Sequence, residues 1–348
     1  MKRKTFFLTL MLIGMMACSG NAKKPADADG QVAVASQANV AADDYLKAGA
    51  VWHNGVEWFQ IRKDGDVFAF IGGTLHEGGA CFGLRANGAN SFSVVPVKWS
   101  VDAGDYEPSL SVMNLYGENP GDLSAELRNY DGAAVLLLRH KTKGLRTVLL
   151  PAKGNGMEAL DNTLKADMAR AFTGTWLSSS GERYVFGADQ SYTFPGKKGK
   201  YTFEYEFDSP AYTISLQDGS HWSVDAKDGR MILSEVSFDE ENDGWTAVPG
   251  GKKISLTLEN QSQWRFPFAS TEPLTVGMLS NYGKEDLRIM RNEIWARHGY
   301  RFNSPDLQQR FSRIQGYTPA SDNSKVRLSP LEQLNVEIIK LVEESPND

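Results

Sequence analysis

Tyr201-Thr202-Phe203-Glu204-Tyr205-Glu206-Phe207 decides the fold of this chain. Aromatic residues alternate with polar ones, and a strand sends successive side chains to opposite faces. Tyr201, Phe203, Tyr205 and Phe207 therefore share one face of a strand whose other face is polar. The same period recurs on both sides. Phe172-Thr173-Gly174-Thr175-Trp176 opens the region, and Arg183-Tyr184-Val185-Phe186, Ser191-Tyr192-Thr193-Phe194, Tyr212-Thr213-Ile214-Ser215-Leu216, His221-Trp222-Ser223-Val224, Met231-Ile232-Leu233 and Ile254-Ser255-Leu256-Thr257-Leu258 complete it. Glycine-rich turns such as Gln217-Asp218-Gly219-Ser220 separate these runs. Short strands with tight turns at regular spacing predict a meander that closes into a small barrel over 172–260.

Working towards the N-terminus, residues 156–171 change period. Met157, Leu160, Leu164 and Met168 recur every three or four positions, which predicts a helical linker. Before it, residues 45–155 read as another β-rich domain. Trp58-Phe59-Gln60-Ile61, Val67 to Ile71, Phe92 to Val95 and Ala134 to Leu138 are its strands, with hairpin turns at Lys63-Asp64-Gly65-Asp66 and Lys141-Thr142-Lys143-Gly144. Towards the C-terminus the pattern turns helical. Leu287, Met290, Ile294 and His298 predict one helix, stopped by Gly299, a residue suited to the positive φ past a last turn. Ser304-Pro305-Asp306 starts a second helix. Ser329-Pro330-Leu331-Glu332 starts a third with a capping box. The expected architecture is α+β, with two β-rich units followed by a small three-helix module.

The first 44 residues carry a different message. Met1-Lys2-Arg3-Lys4 is cationic, and Phe6 to Ala17 is an apolar run of 12 residues. That is short of the roughly 20 that span a bilayer as a helix, but it fits a signal peptide over 1–17. The run ends Met15-Met16-Ala17-Cys18, which resembles the cleavage and modification site of bacterial lipoprotein precursors. The resemblance implies that Cys18 is acylated after cleavage. Ser19 after that cysteine implies the outer membrane, and Lys23 and Lys24 in place of an acidic run speak for its periplasmic face rather than surface display. Residues 18–44 are small and polar and read as a lipidated flexible tether. Cys81 is the other cysteine of the chain, in an apolar setting that suits a buried structural thiol rather than a nucleophile.

Two further resemblances bear on function. Gly174-Thr175-Trp176 is faintly similar to the first strand of lipocalin-type barrels, where such a tryptophan closes one end. A barrel of that kind either carries a small apolar ligand or is filled by its own side chains. Leu287-Arg288-Ile289-Met290-Arg291-Asn292-Glu293-Ile294-Trp295-Ala296-Arg297-His298-Gly299-Tyr300-Arg301-Phe302 resembles the signature of the YARHG family, with Trp295 in place of the family's tyrosine. Gly316-Tyr317-Thr318-Pro319 and the segment from Leu328 to Ile338 fit its later positions, so the resemblance covers 275–345. It implies an extracytoplasmic bacterial module and no particular activity.

Residues 284–327 hold nine Lys or Arg against five Asp or Glu, in a chain whose net charge is -6. Arg288, Arg291, Trp295, Arg297, His298, Tyr300 and Arg301 are the candidate binding residues, because forked guanidinium groups beside aromatic rings suit carboxylate or phosphate. A solvated basic face is the alternative. For Arg291, beside the apolar stripe of its helix, the alternative is a structural clamp to a carboxylate. Glu293 and Arg297 have the spacing of a surface ion pair. No catalytic or metal-binding motif is present, and no cofactor is implied. The acidic balance speaks against nucleic acid. The expected function is that of a non-catalytic envelope lipoprotein, anchored in the membrane, that binds peptidoglycan or an envelope protein. A carrier of small apolar ligands in the 172–260 barrel is the second expectation.

Overall fold

The computed structural model describes residues 41–345, apart from 75–77, 98, 102–103, 107–114, 116–117, 153–155, 205–211, 242–243 and 260–262. The signal peptide, Cys18 and the tether as far as residue 40 therefore lie outside the described residues. So do Tyr205 and Phe207, and the side chains of Cys81, Met157 and Leu160.

The first β unit is a closed barrel, which its sequence announced only as β-rich. Its strands are β1 (Val51–His53), β2 (Glu57–Asp64), β3 (Val67–Thr74), β4 (Gly78–Ala86) and β5 (Ser91–Val95), then β8 (Leu123–Tyr130), β9 (Ala133–His140) and β10 (Gly144–Pro151). Two short strands, β6 (Trp99–Val101) and β7 (Gly104–Tyr106), form a separate hairpin. The barrel order is β1-β10-β9-β8-β5-β4-β3-β2, with β1 pairing β2 to close it. Every ladder is antiparallel. Inward side chains include Trp52, Phe59, Ile61, Phe70, Phe82, Leu84 and Phe92, all buried. Phe70 and Phe82 stack at 4.7 Å and Phe59 meets Phe82 edge-on at 5.5 Å, so aromatic volume fills this interior. A short helix, α1 (Ala42–Tyr45), packs Ala42 and Tyr45 against the same core, and Leu46 is buried behind it. Packing thus begins inside the segment expected as tether.

Helix α2 (Gly156–Phe172) leads into the second barrel. Its strands are β11 (Gly174–Ser178), β12 (Arg183–Phe186), β13 (Ser191–Phe194), β14 (Lys197–Glu204), β15 (Tyr212–Leu216), β16 (His221–Lys227), β17 (Arg230–Asp239) and β19 (Lys253–Leu258). The pairing of β16 with β17 closes the cylinder. A ninth strand, β18 (Gly244–Ala247), pairs with the far end of β17 and extends past the barrel as a ribbon. The alternation predicted from Tyr201 and Phe203 holds, since both are buried while Thr202 is exposed. Trp176 is buried as well, and its indole N–H donates to the Phe172 carbonyl at 2.8 Å, so strand and helix end are tied together. Phe172 plugs the barrel, 6.3 Å from Phe186, 5.8 Å from Phe203 and 5.7 Å from Tyr212 between ring centroids.

The C-terminal module has α3 (Val276–Ser280) ahead of the three expected helices, α4 (Lys284–Arg297), α5 (Pro305–Phe311) and α6 (Pro330–Glu343). Leu287, Met290, Ile294, Phe302, Phe311, Leu334 and Ile338 form its interior. That interior is continuous with Val135, Leu137, Leu145 and Val148 of the first barrel and with the aromatic core of the second. The unbroken apolar run Ala134 to Leu138 is thereby explained. Leu136 and Leu138 face into the first barrel, whereas Val135 and Leu137 face out onto the module, so β9 is buried on both sides.

Candidate functional site

The stretch around Arg291 to Phe302 sits at the junction of α4 with α6 and of the module with the barrels. Helix α4 starts without a side-chain cap of its own. Asp228, in the turn between β16 and β17, supplies one: its Oδ1 accepts the Asp286 N–H at 3.0 Å, while Asp286 Oδ2 accepts the Asp228 N–H at 2.8 Å. A Cβ at Gly283 would lie 2.3 Å from Asp228 Oδ1, so a side chain there would push the capping carboxylate aside. Asp286 also takes the forked guanidinium of Arg265, with one contact at 3.2 Å. Burial pushes the Asp286 carboxyl up, and Arg265 opposes that shift.

Glu293 is 1% exposed, so its pair with Arg297 is not the surface pair the spacing suggested. Its two oxygens accept the backbone N–H of Arg265 and of Phe266, each at 2.8 Å, and Arg297 Nη2 at 3.2 Å. Burial raises its pKa, against the pull of those two amides and of Arg297. The Arg297 guanidinium lies over Trp264, its central carbon 4.7 Å from the ring centroid. The segment before α3 is thus stitched to α4 by main-chain donors that no side-chain pattern betrays.

Helix α4 ends as the sequence implies. Gly299 adopts φ +77°, and a Cβ there would stand 2.8 Å from the Thr318 carbonyl oxygen, so both conformation and space demand glycine. Its N–H donates to the Ala296 carbonyl at 2.9 Å and its carbonyl accepts the Ala320 N–H at 2.7 Å. His298 is the C-cap residue, and its Nε2 lies 2.8 Å from both oxygens of Glu332. Glu332 is the buried acid of the α6 capping box, accepting the Ser329 N–H at 2.9 Å. His298 therefore welds the end of α4 to the start of α6.

The candidate residues fall into two groups. Arg291 donates through Nε and Nη2 to Glu343 at 2.9 and 3.2 Å, which is the clamp between α4 and α6. Arg288 is shared between Glu285 at 3.0 Å and Asp306 at 2.5 Å. With Arg297 on Glu293, three of the four candidate arginines spend their forks on internal carboxylates. Trp295 and Tyr300 are half-buried and meet at 5.5 Å, and the Tyr300 carbonyl accepts the Tyr317 hydroxyl at 2.8 Å. Arg301 is exposed. Its main chain is bracketed by Asn323, which accepts the Arg301 N–H and donates to the Arg301 carbonyl, both at 2.8 Å. That bracket draws the 323–327 turn alongside Arg301. Lys325 and Arg327 are exposed on that turn, and Arg313 is exposed just past the end of α5. Sequence spacing did not single them out, because they lie on loops with no period to align them; only the count of local charge hinted at them.

The module is keyed to both barrels. Arg139 of β9 makes a forked pair with Glu337 of α6 at 2.6 and 2.9 Å. The Gly277 N–H donates to the Asn54 carbonyl at 2.9 Å, where the turn after β1 abuts α3. On the second barrel, Tyr212 donates to Asn281 Oδ1. A cleft of about 50 Å³ beside that bond is lined by Tyr212, Asp225, Lys227, Ser280 and Asn281, which is room for a water or two. The second barrel itself is occupied by its own rings, with Tyr184, Phe186, Tyr192, Phe194, Tyr201 and Phe203 in a chain of contacts between 5.0 and 5.8 Å. Such an interior is close-packed by aromatic side chains.

Residues 265–344 match the family model described as the YARHG domain. The match opens at Arg265, earlier than the 275 read from sequence, in keeping with the bonds from Arg265 and Phe266 to Glu293. No curated protein matches the chain.

Proposed function

We propose that this protein is a non-catalytic lipoprotein of the bacterial envelope, anchored through Cys18, whose YARHG module binds an anionic envelope polymer. Peptidoglycan is the natural candidate, its peptide carboxylates suiting guanidinium and ammonium groups. The observation that carries this reading is the division among the cations of the module. Arg288, Arg291 and Arg297 hold the fold together, whereas Arg301, Arg313, Lys325 and Arg327 are exposed and form no ion pair among the described residues. The two filled barrels act in this reading as a rigid mount for that basic surface. Lipid attachment and the periplasmic face of the outer membrane rest on the residues around Cys18.

The test is co-sedimentation of the detergent-solubilised full chain with purified sacculi at two salt concentrations. Binding is expected to weaken as salt rises, because exposed charges are screened. Reversal of the open cations, Arg313→Glu with Lys325→Glu, is expected to abolish it at unchanged thermal stability. Retention of binding by that variant refutes the assignment of the surface. Cys18→Ser should eliminate incorporation of labelled fatty acid and release the protein from membranes; labelling that persists refutes the anchor.

A further inference from the structure

The open cations of the module are not spread evenly. Arg313 stands just past the end of α5, whereas Arg301, Lys325 and Arg327 sit on two segments that Asn323 ties together. Asn323 opens a short 3-10 turn, Asn323–Lys325, and spends both ends of its carboxamide on the Arg301 main chain. The turn is fixed from within as well. Asp322 caps it, its carboxylate accepting the Ser324 N–H at 2.9 Å and the Ser324 hydroxyl at 2.6 Å. Arg327 reaches back over it, Nη1 donating to the Ser324 carbonyl and, at 2.9 Å, to the Val326 carbonyl. The residues leading into Arg301 are held too, since the Tyr300 carbonyl accepts the Tyr317 hydroxyl and the Gly299 carbonyl accepts the Ala320 N–H.

This fixing works against electrostatics. Arg301, Lys325 and Arg327 carry like charges, and holding such charges near one another costs energy that a freely solvated basic face avoids. Elsewhere in the module the charge is answered inside the fold, where Arg288, Arg291 and Arg297 each meet a carboxylate. Asp322 is the one acid between residues 320 and 328, and its oxygens already serve the turn. The three cations therefore leave a surplus of two positive charges. Donors ordered in advance, against their own repulsion, are the arrangement of an anion site.

We infer that Asn323 assembles Arg301, Lys325 and Arg327 into one subsite, which takes a phosphate monoester on a sugar of the envelope polymer. Where this molecule binds a carboxylate, one guanidinium fork takes one carboxylate, as in Arg291 with Glu343 and Arg139 with Glu337. Three cations with two surplus charges exceed what one carboxylate answers. A phosphate monoester brings a charge of about −1.5 to −2 and three acceptor oxygens, and arginine and lysine both bind it. Tyr300 adjoins Arg301 in the chain and meets Trp295 at 5.5 Å, and these half-buried rings suit the apolar face of the sugar that carries the ester. Single carboxylates of the same polymer suit Arg313, which stands apart. The inference rests on the reading that the module's open cations bind that polymer; it adds the acid group and the residue that positions the site.

The probes are N-acetylglucosamine 6-phosphate, N-acetylmuramic acid as the carboxylate on a like sugar, and glycerol 3-phosphate as an ester of the lipid type. Each is titrated by calorimetry at low salt into the detergent-solubilised full chain. The sugar phosphate is expected to bind about tenfold or more tightly than N-acetylmuramic acid, and more tightly than glycerol 3-phosphate. Arg301→Gln and Arg327→Gln should each weaken it about tenfold, and together by less than the product, because both act on one group. Asn323→Ala should lower affinity about tenfold, and in that background the two arginine effects should multiply. Lys198→Gln, at an exposed cation of the second barrel, should change nothing. If Asn323→Ala does not fold, the arginine pair in the native chain still decides. Equal affinity for the carboxylate sugar, arginine effects that multiply in the native chain, or full affinity of Asn323→Ala overturns the inference. Tighter binding of glycerol 3-phosphate overturns the sugar as carrier, in favour of a lipid headgroup. Sacculi bound without a preference for phosphate overturn the subsite alone, whereas a phosphate preference without sacculi binding supports the subsite and overturns the polymer.

Discussion

Gly277→Ala tests how the module is seated on the first barrel. In isolation the change should help, because alanine in a helix is favoured over glycine by roughly 1 kcal/mol. The structure reverses that sign. A Cβ on Gly277 would lie 2.2 Å from the Gly55 carbonyl carbon and 2.6 Å from both its oxygen and the Val56 nitrogen. Ordinary contact begins at 3.4 Å, so backbone must retreat from backbone by about 1.2 Å. No rotamer relieves a clash between main chains. The same movement stretches the 2.9 Å bond from the Gly277 N–H to the Asn54 carbonyl. Overpacking of this kind costs about 1–3 kcal/mol, and loss of the bond adds about 1 kcal/mol. After the helix gain, a net destabilisation of about 1–3 kcal/mol is expected, a fall in Tm of several degrees. Thermal unfolding followed by far-ultraviolet circular dichroism measures it. Gly88→Ala, whose nearest neighbour would be Ser91 Cβ at 3.5 Å, is the control and should stay within about 0.5 kcal/mol of wild type. An unchanged or raised Tm for Gly277→Ala refutes the claim that a glycine-to-glycine contact seats the module.

Three other outcomes are expected. Phe172→Ala should destabilise the second barrel by about 3–5 kcal/mol in urea unfolding, because a buried ring that touches three others leaves a void; a loss under 1 kcal/mol would show that the barrel collapses onto the space. Lys197 at 2.7 Å, with help from Ser220, holds Asp218 at about 2. Its folded value lies below the ordinary 3.9 or so, so its contribution is in place above pH 4 and fades as pH falls towards 2. The pair is partly exposed, which keeps the effect under about 1 kcal/mol; Asp218→Asn should flatten that part of the acid unfolding curve, and identical curves count against the pair. Burial pushes the Tyr212 hydroxyl up to about 12, so the fold is unaffected up to pH 10 and loses stability as pH rises from there towards 12. Tyr212→Phe should remove that alkaline loss and cost about 1–2 kcal/mol at neutral pH through the orphaned Asn281; a neutral-pH stability equal to wild type would mean the bond contributes nothing.

Much of this architecture was legible in local pattern. A period of two in Tyr201 and Phe203, a period near 3.6 in Leu287, Met290 and Ile294, the Ser329 and Glu332 capping box, and Gly299 at a helix stop are all rules about neighbours in the chain. Each survives because the physics that makes it is local: strand pleat, helix turn, orphaned amides and positive φ. Closure of the first barrel was not legible, because joining β1 to β10 is an event between residues a hundred positions apart. Helix α3 was missed for a related reason: five residues are too few to show a helical period.

The candidate site shows the same boundary. Sequence alone determined that arginines and aromatic rings gather between 288 and 301, because composition and spacing are properties of the chain. Only the tertiary structure decided what they do. Whether a guanidinium is a ligand-binding group or a clamp depends on the carboxylate it meets, and the partners of Arg291, Arg265 and Arg139 lie 52, 21 and 198 positions away. Burial decided the remainder. Glu293 has the spacing of a surface pair, yet two main-chain amides and the core enclose it, and desolvation is set by everything packed around a group, most of it distant in sequence.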